Sequence, residues 1–318
     1  MTLWQNYLRP KTLAEAMIAL SSAPAPVAPI AGGTDLLVDL EQGRHAPVQT
    51  LLDLSDVDEL LRLEIRQDEF FIGAGVPVNR IVLDPLARQH AQALVEACNL
   101  IGGPQVRNVA TLGGNVAHAL PAADGTIALL ALDVEAEIAG PFASAAVLRG
   151  ASRAKRAGGG ESPAGISINS RRVPFKDLFL GPGKSAVKHG EELLVGFYAH
   201  LITAGQASCF QRIMRPQGVA LPIINVAMWL KLEGDTIRDI RIAVGPGAGI
   251  PFRAASAEKA LRGQAFTPAA YERAVEALLA ETQFRSSARR ASADYRRHLV
   301  EALFKDTLEA AWERASKL

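Results

Sequence analysis

Apolar positions along the chain fall into two regimes. Up to about residue 140, short β-like runs alternate with stretches of helical periodicity; beyond about 175, longer strands come first and helices follow. Thr12-Leu13-Ala14-Glu15, just after Pro10, is spaced as a capping box and predicts a short helix. A loop rich in Pro and Ala over 21–26 leads into the β-like run Val27-Ala28-Pro29-Ile30. That run ends in Ala31-Gly32-Gly33-Thr34-Asp35, ahead of the helix-compatible Leu36-Leu37-Val38-Asp39-Leu40. Strand, glycine turn and helix make an α/β unit. Residues 51–54 and 70–73 read as further strands. Apolar residues at Ala87, Ala91, Leu94, Val95 and Cys98 predict one helix over 83–100. The glycine-rich stretch 102–124 reads as irregular, 126–132 as a helix and 134–138 as a strand.

In the second regime, 173–179 and 193–198 resume β character, and 209–213, 222–232 and 237–244 read as three longer strands. Ile237-Arg238-Asp239-Ile240-Arg241-Ile242 suits a sheet with one wet face. From about residue 256 the chain is mostly helical. Strands followed by helices predict a second, α+β domain beginning between 175 and 200. Between the regimes, 143–169 is dominated by Ala, Gly and Ser, with Arg149, Arg153, Lys155 and Arg156 against the single acid Glu161. It reads as a mobile surface insertion, its basic cluster either a solvated face or a docking patch.

Composition narrows the function classes. A chain of 318 residues with 49% hydrophobic and 21% charged residues can bury the cores of two domains. Lys plus Arg number 34 against 33 Asp plus Glu, which leaves no broad electrostatic footprint for nucleic acid or an anionic membrane. The longest apolar run, 221–230, contains Pro222 and Asn225 and falls short of the roughly 20 residues of a membrane span. No targeting segment is visible at the start, so a cytoplasmic location is expected. The two cysteines, Cys98 and Cys209, cannot build a four-thiolate iron–sulfur cluster and read as core thiols. A mean hydropathy of +0.12 calls for a large core or for a surface covered by another subunit.

Two double-glycine segments carry the candidate chemistry: Ala31-Gly32-Gly33-Thr34-Asp35 and Thr111-Leu112-Gly113-Gly114-Asn115. Adjacent glycines let backbone N–H groups converge on an anion, and a helix start behind the turn adds positive potential. Thr34, Thr111 and Asn115 could add side-chain donors. A pyrophosphate suits two such loops. Neither a G-x-G-x-x-G fingerprint nor a P-loop is present.

The wider context is more specific. The run Gly102-Gly103-Pro104-Gln105-Val106-Arg107-Asn108-Val109-Ala110-Thr111-Leu112-Gly113-Gly114-Asn115-Val116 is followed by Pro121-Ala122-Ala123-Asp124. Near the C-terminus stands Arg290-Ala291-Ser292-Ala293-Asp294-Tyr295-Arg296-Arg297. Together with the first glycine loop, these motifs resemble the FAD-binding (medium) subunit of the molybdenum hydroxylases, the xanthine dehydrogenase and carbon monoxide dehydrogenase family, over nearly the whole chain.

The resemblance implies an α+β protein. Its FAD-binding domain, over 1–175, would consist of two α/β subdomains of the PCMH type, about 1–55 and 56–175. A C-terminal domain over 200–318 would combine an antiparallel sheet with helices. It further implies non-covalent FAD held by Ile30, Ala31, Gly32, Gly33, Thr34, Asp35, Thr111, Gly113, Gly114 and Asn115, with Asp124 on a ribose hydroxyl. Leu194 and Gln211 would approach the adenine end. Ile101 stands where some relatives place an aromatic, and Val219-Ala220-Leu221 where carbon monoxide dehydrogenase-like members carry a tyrosine. His118 reads either as a donor near the cofactor or as a turn histidine, and Arg296 and Arg297 as solvated or docking charges.

As partners the resemblance implies a molybdopterin-binding large subunit and a [2Fe–2S] small subunit, in a hetero-oligomer such as a dimer of heterotrimers. The molybdopterin and [2Fe–2S] clusters belong to those partners. Electrons would pass from the clusters through FAD to an external acceptor. Two rivals stay open from sequence: a free-standing FAD-dependent oxidase or dehydrogenase with its own small substrate, and a scaffold that keeps the fold without the chemistry.

Overall fold

The computed structural model describes residues 2–140, 168–215, 221–288 and 290–318. Thr12 caps the first helix, its hydroxyl accepting the Glu15 N–H at 3.2 Å. Glu15 reaches back one residue further than a capping box requires, to the Lys11 N–H at 2.7 Å. The first layer comprises β1 (Asn6–Leu8), α1 (Leu13–Ser22), β2 (Val27–Ile30), α2 (Leu36–Glu41) and β3 (Thr50–Asp53). Its strands lie in the order β1-β3-β2, all parallel. The central strand β3 is buried on both faces, which explains its unbroken Thr-Leu-Leu-Asp run.

The second layer holds β4 (Leu63–Arg66), β5 (Glu69–Gly73), α3 (Val78–Leu83), α4 (Pro85–His90), α5 (Gln92–Leu100), α6 (Pro104–Arg107), α7 (Leu112–Ala117) and α8 (Asp124–Leu132). It continues through β6 (Glu135–Gly140), β7 (Asn169–Pro174), the small hairpin β8 (Phe179–Gly181) and β9 (Lys184–Ser185), and β10 (Leu193–His200). Its antiparallel sheet runs β4-β5-β10-β6-β7.

Three expectations change here. The single helix over 83–100 is broken. Pro85 can start a helix but not continue one, and the Asp84 carboxylate caps α4 by accepting the Ala87 N–H at 2.8 Å. Ala91 then leaves helical geometry before α5 begins. The stretch 102–124 contains the two short helices α6 and α7, whose Gly, Pro and Thr caps resemble turn residues in sequence. The strand expected over 173–179 ends at Pro174, and Phe175–Leu178 form a 3₁₀ turn. The insertion at 143–169 lies outside the described residues except for Ile168 and Asn169, the latter opening β7.

The third layer is β11 (Gln206–Met214), β12 (Pro222–Glu233), β13 (Thr236–Gly245), β14 (Phe252–Arg253), α9 (Ala255–Leu261), β15 (Gln264–Ala265), α10 (Pro268–Glu281) and α11 (Ala293–Ala315). The sheet order is β11-β12-β13-β14, with β15 also on β13. Ile237 and Ile240, three apart, are both fully buried because the register shifts between Lys231 and Leu232 opposite them. One face of this sheet packs on α9, α10 and α11 through residues such as Met228, Ile242, Phe304 and Leu308. The other face, with Ala227, Trp229 and Ala243, joins the core of the second layer.

Helix α8 sits between the two large sheets, all nine of its residues buried. Its first residue, Asp124, is thereby held where the layers converge.

Both cysteines are buried, Cys98 in α5 and Cys209 in β11. Burial pushes the Cys98 thiol far up and the Cys209 thiol up to about 12, so both stay protonated. No helix among the described residues is long and apolar enough to cross a membrane.

Candidate functional site

A cleft of about 780 Å³ opens where the three layers meet. That is within the range of small-molecule and cofactor sites. Of the residues singled out from sequence, Ile30, Ala31, Gly32, Gly33, Thr34, Asp35, Ile101, Thr111, Gly114, Asn115, His118 and Asp124 line it.

The first glycine loop leaves β2 and turns into α2. Gly33 has φ +68°, a conformation that disfavours a side chain. Gly32 lies against the second loop, where a Cβ would run into the Val109 carbonyl and lie 2.8 Å from Ala110 Cα. The N–H groups of Gly32, Gly33, Thr34 and Asp35 find no acceptor among the described residues, although the carbonyls of Ile30, Gly33 and Asp35 are all used. Four neighbouring amides of a cleft-lining loop are therefore left without an acceptor among the described residues, the composition of an anion cradle.

The second loop does a different job. Its glycine amides are already engaged: Gly113 N–H donates to the Ala74 carbonyl at 2.7 Å, and Gly114 N–H to Thr111 Oγ1 at 3.1 Å. Asn115 Oδ1 accepts the Thr126 N–H at 3.2 Å and so ties α7 to the start of α8. Gly113 lies behind the cleft wall, where a Cβ would meet Ala74 Cβ at 2.7 Å. Gly114 faces open space, where a Cβ would meet only Thr111 Oγ1 at 3.2 Å. What the second loop offers the cleft is a bare wall, not the row of donors its glycines suggest in sequence.

Two more sequence candidates lie elsewhere. Leu194 pairs with Ile138 in the second sheet and packs against the core. Gln211 donates to the Asp306 carbonyl of α11 at 3.4 Å. Successive strand residues point to opposite faces, so it is Arg212 and not Gln211 that enters the cleft. The segment with Val219 and Ala220 lies outside the described residues.

Asp124 is 5% exposed and engaged on both oxygens. Arg212, equally buried, pairs with Oδ2, and Asn225 Nδ2 donates to Oδ1 at 2.7 Å and to the Ala122 carbonyl at 3.1 Å. Burial pushes the carboxyl up, while the Arg212 guanidinium and the Asn225 amide pull the other way. At the mouth, His118 Nδ1 lies 3.9 Å from Asp35 Oδ2, both side chains exposed. Arg296, read from sequence as a solvated charge, is 4% exposed and lines the cleft from α11; Arg297 does remain exposed and donates to the Leu279 carbonyl at 3.0 Å. The other basic lining residues, Arg285 and Arg290, are exposed.

Arg212, Asn225 and Arg296 were thus not recognisable as site residues from sequence. Asn225 carried a signal, as the single polar residue within the apolar run 221–230.

Comparison with known proteins finds relatives for both halves of the chain. Residues 3–147 match the FAD-binding domain of molybdopterin dehydrogenases, and 208–311 the C-terminal domain of the carbon monoxide dehydrogenase flavoprotein. The chain is 30% identical over 286 residues to the nicotine 6-hydroxylase medium subunit of Paenarthrobacter nicotinovorans, covering 90% of this chain and 89% of that one. It belongs to the FAD-binding medium-subunit family of the molybdenum hydroxylases.

A second family member, the xanthine dehydrogenase FAD-binding subunit XdhB of Escherichia coli K12, assigned there as putative, is 29% identical over 313 residues, with 96% and 95% coverage. The carbon monoxide dehydrogenase of Hydrogenophaga pseudoflava, solved without the Mo-pyranopterin moiety of its cofactor, superposes with a TM-score of 0.82. It is 27% identical, with 98% of each chain covered. The cleft fits the family's cofactor on its own evidence. Unpartnered loop amides, a bare glycine wall and buried side chains whose Nε atoms lack acceptors (Arg212 and Arg296) suit a large ligand with an anionic centre and many polar atoms.

Proposed function

We propose that this chain is the FAD-containing electron-transfer subunit of a molybdenum hydroxylase complex, passing electrons from a partner's iron–sulfur clusters to an external acceptor. The observation that carries the reading is the first glycine loop, which lines the cleft and whose four amides have no acceptor among the described residues. Gly32, Gly33, Thr34 and Asp35 hold the diphosphate of a non-covalently bound FAD, and Gly114 leaves room for it. Asp124, positioned by Arg212 and Asn225, keeps lone pairs for a ribose hydroxyl. Ile101 gives an apolar contact, and His118 stands at the mouth beside Asp35. Gly113, Leu194 and Gln211 act in the scaffold and touch no ligand.

FAD, when bound, supplies redox chemistry that joins one-electron carriers to a two-electron acceptor. The chain itself binds, orients and shields. Organic-substrate oxidation belongs to a molybdopterin-binding large subunit and the cluster relay to a [2Fe–2S] small subunit, assembled in the cytoplasm as a dimer of heterotrimers.

The test is anaerobic stopped-flow with a candidate organic substrate, following flavin bleaching. The isolated FAD-loaded subunit should not bleach, whereas the assembled complex should. Fast bleaching of the isolated subunit would instead make it a free-standing flavoenzyme.

A further inference from the structure

Two guanidinium groups are buried at the cleft, and their surroundings differ. Arg212 has the Asp124 carboxylate against it. Arg296, on the first turns of α11, has no carboxylate partner among the described residues, and its Nε is buried without an acceptor. The charge that acts on it is another cation, Arg290, and burial together with that neighbour lowers its pKa. A buried and uncompensated guanidinium is a costly arrangement for the protein alone. It becomes favourable when a ligand brings the missing negative charge.

We propose that Arg296 is a cofactor-binding residue whose guanidinium takes the FAD diphosphate from the C-terminal side of the cleft, opposite the amides of the first glycine loop. The inference rests on the reading of the cleft as an FAD site. Among the parts of oxidised FAD, the diphosphate is the one with fixed negative charge, so only it compensates the guanidinium before any electron arrives. The first loop belongs to the N-terminal layer and α11 to the C-terminal one. A diphosphate gripped from both sides joins the two layers, and cofactor binding then tightens the whole chain rather than one loop. Tyr295, next to Arg296, is exposed, so the turn of α11 that carries the guanidinium has its other face in solvent.

Arg296→Met and Arg296→Lys test this in the full chain, freed of flavin and titrated with FAD, with ADP as the probe for the diphosphate half. Losing a charge-assisted contact in a buried site should raise the FAD dissociation constant about tenfold or more, and that of ADP in parallel. Arg296→Lys, which keeps the charge, should recover part of the loss. Melting of the flavin-free protein supplies a readout that a structural arginine would move the other way. Arg296→Met should melt at the wild-type temperature or above it, because a buried uncompensated charge is gone, while the upward shift on adding FAD shrinks.

A lower melting temperature with unchanged FAD affinity would overturn the proposal in favour of a packing role. Weakened FAD binding with unchanged ADP binding and a displaced flavin midpoint potential would also overturn it, placing the guanidinium at the ring. If the wild-type chain bound no FAD, the flavoprotein reading itself would fall, and this inference with it.

Discussion

The ion pair between Asp124 and Arg212 makes the sharpest test of how the cleft is built. Both side chains are about 5% exposed, one from α8 and the other from β11, so the pair joins the second and third layers across the cleft floor. Asp124→Ala leaves a second guanidinium buried without a counter-charge. Breaking such a pair from one side costs about 3–5 kcal/mol. At roughly 2.1 cal/mol/K per residue, a chain of 318 residues has an unfolding entropy of about 0.7 kcal/mol/K, so the flavin-free protein should melt about 4–7 °C lower.

Asp124→Leu combined with Arg212→Met removes both charges and replaces them with apolar groups of similar size, which is often close to neutral. Asn225 would still donate to the Ala122 carbonyl at 3.1 Å in the double variant. The double variant should therefore be more stable than either single one, with a coupling of about 2 kcal/mol or more. Circular-dichroism melts of the flavin-free wild type, Asp124→Leu, Arg212→Met and the double variant complete the cycle. Additive effects, or single losses below about 1 kcal/mol, would show that the pair is screened by solvent and that the layers are not locked there.

Two further outcomes follow from local geometry. Gly114→Val places a branched side chain in the open space beside the second loop, so it should abolish FAD retention on gel filtration while the far-ultraviolet spectrum stays native; normal flavin content would show that this wall does not border the cofactor. His90, buried, accepts the Ile202 N–H on Nδ1 at 3.1 Å, and burial lowers its pKa below 6.5. The unfolded chain thus binds its proton first on acidification. Stability present above about pH 6.5 should fall as pH drops toward the folded-state value, and His90→Gln should flatten that part of the melting-temperature profile; an unchanged profile would refute the assignment.

Local patterning determined much of this protein. The order of most strands and helices, the cap at Thr12 and the turn at Gly33 rest on contacts within a few residues, so periodicity and residue type suffice to predict them. The first glycine loop was legible for the same reason: its free amides are a property of one strand-to-helix turn.

Long-range contacts decided the rest. That Gly113 has spent its amide depends on Ala74, and that Arg212 faces the cleft while Gln211 faces α11 depends on which side of β11 each layer packs. Arg296 and Arg297 are adjacent arginines with the same intrinsic propensities. Only the packing of α11 against the third sheet buries one at the cleft and leaves the other in solvent, because neighbouring helical positions point about 100° apart. Which of two identical side chains meets the ligand is a matter of the direction it is turned, and that direction exists only once the layers have come together.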